Sequence, residues 1–236
     1  AAFPTAILSG TIGVAGGITL LAVMLLFLDP LVAIPLHGVV QLVSNSSRAW
    51  MLRPHLRTDI VWRYAILLLP MGFAGLSLAR NLPPDVLRAS IGVFVLVATW
   101  RPGWLLLGTH PERIDPHRRF FALGGVIGFL NVSIGATGPL LAPFFLNLGL
   151  TRFALIGTQA ACQTLGHLAK VVAFGATGFA FASWLGLLVL LSGLVVAGTW
   201  VGRQLLERTN ERVFRILYKT VLTVIALRLV VAELVR

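Results

Sequence analysis

Between Leu31 and Leu52 the chain is apolar for long enough to cross a bilayer, yet the run carries His37, Gln41, Ser44, Asn45 and Arg48. At about 100° per residue these five fall within an arc of about 100°, while Val39, Val40, Leu42, Val43 and Trp50 cover much of the remaining surface. The pattern predicts a helix with one polar stripe on a greasy rod. It returns 122 positions later as Gln159, Gln163, Gly166, His167 and Lys170, within the segment 151–174. Two matched stripes predict one shared site.

A 236-residue chain that is 57% hydrophobic and 11% charged cannot hide its apolar side chains in a water-soluble core of that size. Several apolar runs approach the roughly 20 residues that span about 30 Å of hydrocarbon, and strand-like alternation is absent. The fold class is therefore an all-α integral membrane protein, multi-pass and expected in the cell's inner membrane. The single Cys162 excludes an intrachain disulfide and a thiolate metal cluster. A net charge of +11 would ordinarily raise nucleic acid as a partner, but the basic residues sit mainly in short connections and read as topology signals. The opening Ala-Ala-Phe-Pro has neither a basic n-region nor an initiating Met, which reads as a trimmed start without a cleavable signal.

Taken in order, residues 4–28 form an apolar stretch interrupted by Gly10, Gly13, Gly16 and Gly17, expected as two half-helices. Asp29-Pro30 opens the striped segment 31–52, a polar loop follows, and spans are expected over 60–79 and 85–107. The second half replays the first: 120–149 is broken at Gly135-Ala136-Thr137-Gly138-Pro139, 151–174 carries the second stripe, and 183–206 and 212–235 complete the set. The division is thus 1–107 and 120–236 as two four-segment repeats, joined by a polar connection, 108–119.

If all eight stretches cross, Lys and Arg divide about equally between the two sides. If the glycine-broken stretches dip in and return, the repeats are inverted. Then Arg53, Arg57, Arg63, Arg101, Arg113, Arg118, Arg119, Arg152, Arg203, Arg208, Arg212, Arg215 and Lys219 gather on one face, against Arg80, Arg88, Arg228 and Arg236 on the other. Thirteen against four favours inversion.

Inverted repeats place substrate sites near the midplane, where broken helices present unpaired backbone groups. Gln41 and Gln163 are expected there, with amide N–H groups for substrate oxygens. Half-helices starting after Gly16-Gly17 and Gly138, with Thr137 beside the latter, would aim backbone N–H groups at the same place, which suits an anion. Arg48 and Lys170 are expected to attract and pass on that anion, Arg48 on the cytoplasmic and Lys170 on the external approach. His37 and His167 are candidate ligands or proton carriers, and Ser44, Asn45 and Gln159 second-tier pathway residues. Every acidic residue lies in a connection or near a span end, so no buried carboxylate offers a sodium site. With no phosphate loop, metal motif or nucleophile pair, neither a cofactor nor enzymatic activity is expected.

The glycine clusters Gly10-Thr-Ile-Gly13-Val-Ala-Gly16-Gly17 and Gly135-Ala-Thr-Gly138-Pro139-Leu-Leu-Ala-Pro143, each followed by a striped span, resemble the repeated signatures of the TauE/SafE family over almost the whole chain. One departure is that the first cluster lacks the expected following proline, reading Leu20-Leu21-Ala22-Val23. The resemblance implies transport of a small sulfur-containing oxyanion, sulfite or an organosulfonate, by a secondary transporter that exports it. Remaining readings are an anion channel, an organosulfonate uptake permease, and an intramembrane enzyme acting on an anionic lipid head group. The sequence leaves open whether subunits pair as a homodimer.

Overall fold

A computed structural model describes residues 15–145 and 148–205, together with 220, 223, 224, 226, 227 and 231. The expected break at Gly10 and Gly13, the span over 212–235 apart from those six residues, and the charges from Glu207 through Lys219 lie outside the described residues. All regular structure among the described residues is helical. In chain order the α-helices are α1 (Ala15–Met24), α2 (Pro30–Met51), α3 (Thr58–Ala65), α4 (Leu68–Asn81), α5 (Pro84–Trp100), α6 (Pro116–Ser133), α7 (Gly138–Phe145), α8 (Arg152–Ala176) and α9 (Leu185–Leu205).

The striped segments are the two long helices α2 and α8, of 22 and 25 residues, or about 33 and 38 Å at 1.5 Å per residue. Pro30 occupies the first turn of α2, where its missing N–H has no partner to lose, and the Thr151 side chain accepts from the Ala154 N–H to start α8. The break in the second half is also present: α6 ends at Ser133, Gly135 takes a φ of +94°, and α7 begins at Gly138.

Two expected spans are not single helices. Residues 60–79 bend by 43° between α3 and α4, because Pro70 cannot donate to the Ile66 carbonyl and its ring crowds that group. Segment 85–107 stops as a helix at Trp100, before Pro102, and continues through 3-10 turns bent by 113°. By length and composition, one helix among the described residues can cross a membrane, in the window Phe181–Gly198, and up to three spans if each bent pair counts as one. The polar stripes lower the hydropathy of α2 and α8, whose polar faces turn inward.

The two halves of the chain interleave. The most extensive helix contacts pair α2 with α8 and α4 with α6, and α9 also lies on α2. α2 and α8 run antiparallel: Gly38 meets Lys170 and Val171, while Leu52, at the other end of α2, meets Gly157. One apolar cluster, including Leu21, Ile34, Leu36 and Ile91, ties α1, α2, α5 and α9 together. A second, including Tyr64, Leu68, Phe120, Phe145 and Cys162, joins α3, α4, α6, α7 and α8. Outside them α9 stays apolar and exposed, with Leu185, Val189 and Leu190 about 60% accessible, a surface suited to lipid.

Candidate functional site

The antiparallel packing of α2 on α8 turns the two stripes toward each other. The rings of His37 and His167 meet edge to face with centroids 5.6 Å apart. Around them lies a cleft of about 370 Å³, mouth included, walled by α1, α2, α3, α6, the Gly135 break, α7 and α8. Of the residues expected from sequence, Gly17, His37, Gln41, Thr137, Gly138, Gln163 and His167 line it. Gln41 and Gln163 are each the twelfth residue of their helix, by 41 − 29 and 163 − 151.

The Gln41 amide is held in a fixed attitude. Asn45 Nδ2 donates to the Gln41 backbone carbonyl at 2.9 Å and to Gln41 Oε1 at 3.4 Å. With its oxygen engaged, the free end of the amide is the donor Nε2. Gly17 lets that amide lie against α1, since a Cβ there would be 3.3 Å from Gln41 Oε1. His37 Nε2 donates to the Gly17 carbonyl at 2.9 Å, which pins α2 to α1.

Lys170 is fully buried, and its Nζ donates to the Gly135 carbonyl at 2.6 Å. It therefore sits inside the protein and not on an external approach as the sequence suggests: the two helices pack too closely for its stem to reach solvent, and Gly38 opens the channel it runs through. Arg48 is half-buried, two turns beyond Gln41 and off the cleft; Ser44, Asn45, Gln159 and Gly16 are buried beside it without lining it.

Two contributors escaped the sequence reading, and Gly166 of the second stripe makes room for them. Tyr64 and Asn131 line the cleft, fully buried or nearly so, and Gly166 leaves the notch in which they converge: a Cβ there would lie 3.2 Å from Asn131 Nδ2 and 3.5 Å from the Tyr64 hydroxyl. The available signal was a lone amide and a lone phenol inside apolar runs. Among the described residues Tyr64 Oη, Gln163 Nε2, Asn131 Oδ1, His37 Nδ1 and His167 Nδ1 are buried without a hydrogen-bond partner. Buried polar atoms ordinarily find partners, so their concentration marks a place where a polar ligand completes the set. The Thr137 carbonyl accepts from Leu140 and Leu141 to open α7, whose first residue, Gly138, lines the same cleft.

Among the described residues no carboxylate enters this site: Asp29, Asp59, Asp85, Glu112 and Asp115 are all exposed. Among the described residues no cluster of His, Cys, Asp and Glu could hold a metal ion. What remains is a small cleft lined by uncharged polar groups beside a buried lysine and a helix break. The chain matches the sulfite exporter TauE/SafE family over residues 1–229. It belongs to the TauE/SafE family. No curated protein and no solved structure matches it. TauE/SafE membership makes the chain a membrane transporter of sulfur-containing anions in general, and the helical, lipid-facing architecture agrees with that.

Proposed function

We propose that this TauE/SafE protein is a secondary transporter that exports a small sulfur-containing oxyanion, sulfite or an organosulfonate, by alternating access around the cleft between α2 and α8. The observation that carries this reading is the concentration of uncharged polar groups, with no carboxylate among the described residues, between two mid-helix glutamines. Gln41 and Gln163 hold substrate oxygens, the Gly138 end of α7 adds a backbone donor, and Asn45 keeps Gln41 oriented. Arg48 serves the cytoplasmic approach.

The antiparallel course of α2 and α8 supports inverted repeats over 1–107 and 120–236, because eight full crossings would make these two helices parallel. A membrane potential negative inside favours anion exit by about 2.3 kcal/mol per charge per 100 mV, so export needs no coupling ion. In proteoliposomes of the purified protein, sulfite efflux is expected to rise when an inside-negative potential is imposed and to fall at least about tenfold in Gln41→Ala/Gln163→Ala, which removes two hydrogen bonds to a charged group. Counterflow of labelled anion distinguishes the carrier from a channel. Potential-driven flux that the double substitution leaves unchanged would move the site elsewhere.

A further inference from the structure

We propose that the cleft selects singly charged oxyanions, the hydrogensulfite or R–SO3⁻ form, and rejects dianions, with Lys170 as the fully buried counter-charge among the described residues and Tyr64 and Gln163 as neutral donors that complete the site. This rests on the reading of the cleft as an anion site and names the charge class it takes.

The argument is a charge count over the walls. α1, the Gly135 break and α7 carry no titratable side chain. α2 brings His37, with Arg48 two turns away and partly accessible; α3 brings Tyr64, with Asp59 in its first turn and Arg63 in its last, the two paired with each other and absent from the cleft lining. α6 has its charges, Arg118 and Arg119, in its first turn by the polar connection, where Arg119 donates to the Pro111 carbonyl. α8 begins at Arg152, more than two turns before Gln163, and brings His167, Lys170 and the fully buried Cys162. α4, α5 and α9, packed behind α8 and α2, keep Arg80 and Asp85 exposed at helix ends, and Arg88 pairs with Asp29. Among the described side chains Lys170 is thus the fully buried cation beside the cleft. It lies one turn from His167 on α8 and runs against Gly38, the neighbour of His37.

Keeping a buried lysine protonated beside a single neutral carbonyl is costly, and an anion next to it offsets that cost. One negative charge in the cleft balances a protonated Lys170; a second meets no further fully buried cation among the described side chains. The other donors without a partner, Tyr64 Oη and Gln163 Nε2, are uncharged and read oxygen positions, not net charge, and Asn131 Oδ1 is an acceptor suited to the proton of hydrogensulfite.

The test uses the intact protein in proteoliposomes with three probes. Methanesulfonate carries one charge at every working pH, sulfate carries two, and sulfite passes from two to one as pH falls through neutrality. Methanesulfonate is expected to compete with labelled sulfite, and sulfate to compete at least about 100-fold more weakly. On mild acidification the apparent affinity for sulfite should improve with its singly protonated fraction, while that for methanesulfonate stays flat. Lys170→Gln is expected to raise the KM for methanesulfonate at least about tenfold, and Tyr64→Phe should do likewise while keeping the sulfate discrimination. The parent measurements carry the test even if Lys170→Gln does not fold. Sulfate competing as well as methanesulfonate overturns the inference and leaves anion transport standing. So does an equal improvement of both affinities on acidification, which would put the titration on His37, His167 or Lys170. Absence of flux for every anion overturns the transport reading, and this inference with it.

Discussion

A β-carbon at Gly38 would lie 2.8 Å from Lys170 Cδ, so the buried lysine reaches the Gly135 carbonyl through space that a missing side chain leaves open. Gly38→Ala must push that stem aside and lengthen the bond from Nζ. The expected outcome is a loss of transport of about 10- to 100-fold, the worth of one charge-assisted hydrogen bond, with protein yield unchanged; efflux rates normalised to reconstituted protein check it. Far from the cleft, Asp115 caps α6, its carboxylate accepting from the His117 and Arg118 N–H groups. The Arg118 N–H, with that of His117, holds the carboxyl below its ordinary range. A depressed folded value means the stabilisation is present above the unfolded pKa and is lost as pH falls through the folded one. Asp115→Ala is therefore expected to lower the unfolding midpoint in detergent at neutral pH, with the difference closing under acid conditions.

At the scale of elements, glycines decide how closely α6 can lie against α3 and α4. A β-carbon at Gly124 would run into the Tyr64 backbone, one at Gly128 into the Leu68 backbone, and one at Gly75 into the Phe129 backbone. Such small-residue contacts let helices approach backbone to backbone where lipid supplies no hydrophobic drive. Since Tyr64 rides on this contact, the crossing also sets the depth of its hydroxyl in the cleft. Gly124→Ala is expected to cost about 1–3 kcal/mol by overpacking, read by denaturant unfolding in detergent, and to weaken anion transport as Tyr64 shifts. Gly186→Ala and Gly193→Ala, where nothing lies within 4 Å, serve as controls expected to be neutral. The Pro70 bend and the Gly135 break were both visible as residues in the sequence; only the break was read as one, because a glycine cluster inside an apolar run is conspicuous and a proline near a span's centre is easily absorbed into it.

For the whole molecule, the antiparallel pairing of α2 and α8 makes a topological prediction. In a Cys162→Ala background, Trp50→Cys and Phe153→Cys should be modified by an impermeant thiol reagent from one face, and Phe27→Cys and Gly178→Cys from the other. Trp50 and Phe153 reacting from opposite faces would restore eight parallel-repeat crossings. All four positions are exposed, whereas Lys170 is buried and would report poorly. The sequence by itself determined that the chain is helical and membrane-embedded, and where its two polar stripes and its second glycine break fall, because these follow from local periodicity and from the backbone freedom of particular residues. It also named both glutamines and both histidines, since a polar side chain in an apolar helix is legible one position at a time. Only the tertiary structure decided that Lys170 points inward, that Tyr64 and Asn131 converge over Gly166, and that Asn45 turns the Gln41 amide. Those facts depend on which helices touch and at what register, and burial and hydrogen-bond partners are properties of pairs brought together across the fold.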